Sequence, residues 1–187
     1  MAATTTTVPA PRYAFPFTGH PVSWHDTHLQ YPAVDVFGCG ATVVSPTNGT
    51  VVQVRATDPW DPAVSAGSTR GGKYVAVVGV DGVRYYFAHL ESVTVAVGDA
   101  VQPGDPLGPM GQTGDARRST CHTHMGISWP CAGPEWEVRR GEVWPQPFLE
   151  AWQRGEQLSP AAIVAASKDE QPGACSAAQA APDAAFS

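Results

Sequence analysis

With 187 residues, a net charge of -6 and no basic run, the chain can form one domain with a substantial core and is ill suited to binding nucleic acid or an anionic membrane surface. Gly 19 and Pro 18 make up about a fifth of it and long charged amphipathic stretches are missing, which argues against a helical bundle and for many short strands joined by turns. No run of about 18 apolar residues occurs, so no membrane span is expected.

Residues 1–12, MAATTTTVPAPR, lack the apolar core of a secretory signal and read as a flexible linker. The folded domain is expected over 13–158. His20, His25 and His28 fall in a polar, turn-rich loop. In the strand that follows, alternation puts Ala33, Asp35 and Phe37 on one face and Val34 and Val36 on the other. Thr42–Val44 is a second apolar stretch, and the turn over Pro46–Gly49 leads into a β-branched strand at Thr50–Arg55. Residues 58–72 show no periodicity, and so long a loop in a compact domain is usually functional or mobile.

Strands over Lys73–Val80 and Val83–His89 flank Asp81-Gly82, a strong hairpin signal. Alternation puts Tyr85, Phe87 and His89 on one face and Tyr86 and Ala88 on the other, with His89 at the strand end. Val93–Val97 reads as a further short strand, followed by Gly/Pro turns around Val101 and Leu107. Next comes CHTHMGISW. His122, His124, Gly126 and Ser128 share one face there, while Thr123, Met125, Ile127 and Trp129 share the other, which reads as core. Phe148–Arg154 has apolar residues at helical spacing and predicts one short docked helix. Residues 159–187 are Ala-rich and weakly patterned and read as a flexible tail, part of which Cys175 could pin.

The four cysteines, Cys39, Cys121, Cys131 and Cys175, form no C-x2-C pair, which disfavours a structural zinc knuckle. Their even count in a Gly/Pro-rich chain points to disulfides and an oxidising compartment. Cys121 and Cys131 bracket the His strand, so that pair is expected, with Cys39–Cys175 as the second. Arg117-Arg118 reads as a solvated turn. Trp136, Trp144 and Trp152 read as core or helix-docking residues.

Zinc enzymes commonly use three protein ligands and keep a fourth position for water. His28, Asp35 and His124 are the candidate ligands here, and His89 and His122 remain to act on the water or on developing charge. No H-E-x-x-H occurs, so the site is not thermolysin-like.

The blocks HLQYPAVD, VFGCGATVVSPTNGTVV, YYFAHL, GDAVQPGDPLGPMGQTG and CHTHMGIS occur in an order and spacing that resemble the lysostaphin-type zinc metallopeptidases, the peptidoglycan endopeptidases. The HLQYPAVD and CHTHMGIS forms look most like secreted actinobacterial members. The resemblance covers about Tyr13 to Trp152. It implies a small, mainly β domain with an antiparallel sheet and a groove walled by loops, including 58–72 and the residues near His20–Thr27. It also implies Zn2+ held by His28, Asp35 and His124, a catalytic pair of His89 and His122, and a secreted, cell-wall-associated monomer acting on the peptides of peptidoglycan.

One departure from the pattern stands out. The best-known members carry their first His four residues before the Asp, where this chain has Tyr31. His28 would then reach the site over a longer Tyr31-Pro32 turn, with His25 as its rival and His20 further off. The alternative function is a catalytically inactive member that binds cell wall or regulates a partner hydrolase. The GDAVQPGDPLG turn also looks like that of biotinyl or lipoyl carrier domains. Neither Lys73 nor Lys168 lies at a hairpin tip, however, so the carrier function is rejected.

Overall fold

A computed structural model describes residues 10–28 and 30–181. The chain folds around a seven-stranded antiparallel sheet of order β2-β3-β10-β7-β6-β5-β8, comprising β2 (Ser23–Trp24), β3 (Val34–Phe37), β5 (Gly49–Arg55), β6 (Tyr74–Gly79), β7 (Arg84–Phe87), β8 (Ala100–Val101) and β10 (His122–Ser128). A smaller sheet of order β1-β4-β9 is built from β1 (Phe17–Thr18), β4 (Thr42–Val44) and β9 (Pro106–Pro109). The mainly β, antiparallel expectation holds, with the strands divided between two sheets.

The β6–β7 hairpin forms for the reason its sequence gives. Gly82 supplies a φ of 77° at the turn, and the Asp81 carboxylate accepts from the Val83 amide (3.1 Å) and from the hydroxyls of Tyr13 (2.8 Å) and Tyr85 (2.7 Å). One face of the large sheet carries Val34, Val36, Val75, Val77, Tyr85, Phe87, Met125 and Ile127, all in the apolar core. The short helix α2 (Gln146–Gln153) closes that core with Phe148, Leu149 and Trp152. Trp152 stacks on Tyr13 with ring centroids 5.5 Å apart, which ties the start of the domain to its end.

The other face of the sheet is covered by α1 (Trp136–Arg140). Gly126 permits this close approach, because a Cβ at that position would overlap the Arg140 carbonyl. Between α1 and the sheet lies a buried ion pair, Arg84 to Glu135 at 3.0 Å, with Arg84 Nε also donating to Ser128 Oγ at 3.1 Å.

Three expectations are corrected. The disulfides are Cys39–Cys121 and Cys131–Cys175, not Cys121–Cys131 with Cys39–Cys175. Cys121 and Cys131 sit at opposite ends of a strand that carries the chain about 30 Å between them, far beyond the span of a disulfide. The β3–β10 ladder instead sets Phe37 opposite His122 and so brings Cys39 to Cys121, with Cα atoms 5.2 Å apart. Val93–Val97 is not a strand: Thr94 makes a single backbone bond to Leu107, and Val93 and Val95 simply rest on the core. The Ala-rich segment is not a structureless tail over its described part. It forms α3 (Ala161–Glu170) and α4 (Ala174–Ala180), burying Val164 and Ala178, and Cys175 fixes α4 to Cys131. Most of the predicted linker and residues 182–187 lie outside the described residues.

Candidate metal centre

Asp35, His122 and His124 are positioned by one ladder. The register pairs His124 with Asp35 and His122 with Phe37, so the carboxylate and the imidazoles project from the same face of adjacent strands. His28 arrives from the loop before β3, where residues 30–32 bend the chain. Its ring lies 4.5 Å from that of Tyr31 and 5.2 Å from that of His124, centroid to centroid. One ligand atom from each of His28, Asp35 and His124 falls within 4.8 Å of the others.

The donor set fits a zinc ion. His28 Nε2 is 3.8 Å from Asp35 Oδ2, and His124 Nδ1 is 3.1 Å from Asp35 Oδ1. Ligands about 2.0 Å from a tetrahedral zinc stand roughly 3.3 Å apart, between those two values. The tautomer of His124 strengthens the fit. Its Nε2–H donates to the Arg140 carbonyl at 2.7 Å, so in the neutral ring the Nδ1 lone pair faces a carboxylate oxygen. Two acceptors facing each other at that distance need a proton or a metal ion between them. Burial alone would raise the pKa of Asp35, but when His124 also carries a proton on Nδ1 its hydrogen bond and charge, with His122 and His28, hold Asp35 below the usual carboxylate range. Burial and the nearby His124 push His28 down, which keeps its ring neutral and ligand-competent.

His89 reaches the site by a route that alternation misses. Alternation puts it on the face of Tyr85 and Phe87, which the structure buries in the core. Its backbone instead adopts φ 64°, the left-handed conformation that few non-glycine residues take. This turn swings His89 to the Tyr86 and Ala88 side, while Leu90 drops into the core. His89 Nδ1 donates to the Thr113 carbonyl at 2.9 Å, and His122 Nδ1 donates to that of Thr120 at 2.9 Å. Each ring therefore keeps Nε2 as an acceptor. The two rings lie 4.9 Å apart. Burial, with His122 and His124 close by, pushes His89 down to about 3.

These groups open into one cleft of about 280 Å³. The 58–72 loop lines it as expected, through Gly67, Ser68, Arg70 and Gly71. Residues 20–27 do not. His25 is exposed and packs edge-on to Phe37 at 6.1 Å, and exposed His20 lies against Gly40. Neither belongs to the described group that could hold a metal. Sequence reasoning missed the rest of the lining: Trp136, Arg139 and Arg140 of α1, together with Tyr31 and Asp115. Trp136, read as a core residue, is indeed buried at 6% exposure, yet it also lines the cleft. Asp115 sits 3.8 Å from His89 Nε2 and pairs with Arg70 at 3.2 Å. Arg117, read as solvated, pairs with Asp58 at 2.9 Å on the loop.

The model of Peptidase family M23 matches residues 31–133, which include Asp35, His89, His122 and His124 and begin just after His28. Among solved structures, the lytM protein from Ruminococcus gnavus ATCC 29149 aligns at 24% identity and a TM-score of 0.58, over 78% of this chain and 62% of that one. The catalytic domain of lysostaphin, an antimicrobial peptidase from Staphylococcus simulans, aligns at 24% identity and 0.50, over 71% and 92%. The catalytic domain of the prophage-encoded M23 protein EnpA from Enterococcus faecalis aligns at 19% and 0.52, over 72% and 95%. This chain thus spans less than two thirds of the Ruminococcus protein, and at such identities the likeness establishes the fold. A comparison with curated proteins finds no match. The family model covers more than half of the sequence, and the chain belongs to peptidase family M23.

Proposed function

We propose that the protein is a zinc-dependent endopeptidase that hydrolyses peptide bonds of bacterial cell-wall peptidoglycan. The observation that carries this reading is the meeting of two clusters in one cleft: His28, Asp35 and His124 on one side, His89 and His122 on the other. Zinc held by the first three would acidify a bound water and polarise the scissile carbonyl. Every other role falls to the chain. The Arg140 carbonyl fixes the His124 tautomer so that Nδ1 faces the metal position. His122 shares the strand face of His124 and has Nε2 available as an acceptor, so it takes the water proton and returns it to the leaving amine. His89, held by Thr113 and kept neutral, has Nε2 as an acceptor and would hydrogen-bond the attacking water and orient it.

The unit proposed to carry this activity is residues 13–158, and it acts as a monomer because one chain supplies every group of the site. Two disulfides and a cell-wall substrate are consistent with a secreted, wall-associated protein. The test is hydrolysis of purified peptidoglycan and of bridge and stem peptides by protein carrying one zinc per chain, with loss of cleavage on chelation and recovery on adding zinc. If the zinc-loaded protein cleaves none of these, the enzyme reading fails and the inactive, wall-binding reading replaces it. The family match begins at Tyr31 and leaves His28 outside it, so zinc stoichiometry of a His28→Ala variant is the sharpest part of that test.

A further inference from the structure

Asp35 and Asp115 are the two carboxylates that line the cleft. Asp35 belongs to the ligand group, whereas the roles assigned so far leave Asp115 without a part. Asp115 comes from the short helical turn Gly114–Arg118, directly after Thr113. This stretch meets His89 at both ring nitrogens: the Thr113 carbonyl accepts from Nδ1 at 2.9 Å, and Asp115 Oδ1 lies 3.8 Å from Nε2. The carboxylate is itself held in place. The Asp115 amide donates to the Arg70 carbonyl at 3.0 Å, and the Arg70 guanidinium donates to Oδ2 at 3.2 Å. Arg70 thus takes one carboxylate oxygen and leaves the other beside His89.

The approach of Oδ1 to Nε2 is not an ion pair. Nδ1 carries the proton of the neutral ring, so Nε2 is an acceptor, and so is Oδ1. Among the described residues neither atom receives a hydrogen bond. Acceptors 3.8 Å apart leave room for a donor about 2.8 Å from each. The hydrogens of the reaction decide which donor that is. The attacking water has two, one taken by His122 and one facing His89. Oδ1 is left for a third, and the scissile bond carries one on the nitrogen next to the attacked carbon.

We infer that Asp115 is a further catalytic residue, whose Oδ1 accepts the N–H of the scissile peptide bond and stabilises the nitrogen as it becomes an amine. This rests on the endopeptidase reading and deepens it. The water oxygen bonds to the carbonyl carbon, and the proton taken by His122 passes to the nitrogen. The nitrogen then carries two hydrogens and a positive charge, which a fixed carboxylate stabilises. The oxyanion re-forms the carbonyl, the C–N bond breaks with its electron pair going to nitrogen, and a neutral amine leaves. Its two hydrogens match Oδ1 and Nε2.

The experiment uses the full chain loaded with zinc and two synthetic peptides, tetraglycine and a D-Ala–diaminopimelate cross-linked peptide. Each is compared with its depsipeptide, in which an ester oxygen replaces the N–H of the central Gly–Gly or the D-Ala–diaminopimelate bond. The ester offers Oδ1 no hydrogen and its leaving oxygen gains no positive charge. Asp115→Ala, with zinc content and melting temperature unchanged, should lose about tenfold to a hundredfold in kcat/KM on the cleaved peptide, the change that one hydrogen bond to a charged group gives, and none on its ester. Asp115→Asn keeps the size and should show the same selective loss, because its oxygen stays on Arg70 and its NH2 group turns a donor to the cleft. An equal loss on peptide and ester, the mark of a structural role through Arg70, overturns the inference, as does an undiminished rate on the peptide. Calorimetric binding of the same compounds is read alongside. If nothing is cleaved, tighter binding of a peptide than of its ester that Asp115→Ala abolishes supports the contact with the N–H while the endopeptidase reading fails. Equal binding of peptide and ester, with nothing cleaved, overturns both.

Discussion

On one face of β10, Met125 and Ile127 sit in a dry core with Tyr85, Phe87 and Val75. On the other face, which is buried but borders the cleft, Ser128 meets the Arg84–Glu135 pair, His124 the carbonyl of Arg140 and His122 that of Thr120. The two faces are held by different physics. The apolar face is held by area and shape, which tolerate small shifts. The polar face is held by directional bonds, each of which must be satisfied or becomes costly. Groups that must point at one metal position to within fractions of an ångström belong on the second kind of surface, and the first supplies the stability that supports it.

The comparison breaks first at the ligands. Asp35→Ala or His124→Ala should lose more than about a hundredfold in zinc affinity, beyond the usual effect of an outer partner, while leaving the fold intact. Chelator competition with a circular-dichroism control reads this out, and retained zinc in either variant would remove that residue from the ligand set. His122→Ala should keep its zinc and lose about 10²–10⁴ in kcat. Single-turnover cleavage checks this, and full activity would reassign the proton-handling role to His89.

Beneath the site, Glu135→Ala strands the buried Arg84 guanidinium and should cost about 3–5 kcal/mol in denaturant melts. Replacing both partners, as Arg84→Met with Glu135→Leu, should recover most of that. If the double variant is no better than the single, the pair is not what makes the position sensitive. On the apolar face, Met125→Ala should cost about 2–5 kcal/mol and leave zinc binding unchanged, which separates packing from direction. Arg117→Ala removes a half-exposed pair with Asp58 and should shift stability by no more than about 1 kcal/mol. A larger loss would mean that the 58–72 loop depends on it.

The strand faces were legible because period-two alternation is a local property. Spacing alone put Asp35 on one face of its strand and His122 and His124 together on one face of theirs, and the ladder brought those faces to the same side of the sheet. His89 was legible as a residue but not as a direction. Its left-handed backbone is imposed by tertiary bonds, His89 N to Gly71 O and Leu90 N to Lys73 O, and no neighbouring residue announces them. The disulfide error was avoidable in principle. The strand that placed the histidines also holds Cys121 and Cys131 too far apart to bridge. The α1 wall stayed hidden because WEVRR is too short to show helical periodicity, and its approach depends on Gly126, whose meaning is visible only once Arg140 lies against it. The helices after residue 160 were missed because Ala-rich sequence shows little amphipathic pattern. They are docked by a disulfide, by Val164 and Ala178, and by hydrogen bonds from Ser167 and Gln171 to Glu142.

The rim of the large sheet bears on how the protein behaves when concentrated. Its outermost strands, β2 and β8, are two residues long and offer another chain almost no ladder to extend. Where β8 stops, β5 runs on, but the register shift between Val51 and Gln53 kinks it and Arg55 ends it. The small sheet closes on β9, which begins and ends with proline. A β protein with such margins should stay dispersed at high concentration and refold without strand-to-strand clumping, and its aggregation should begin only when Cys39–Cys121 is cut and the β3 side of the sheet is free to open.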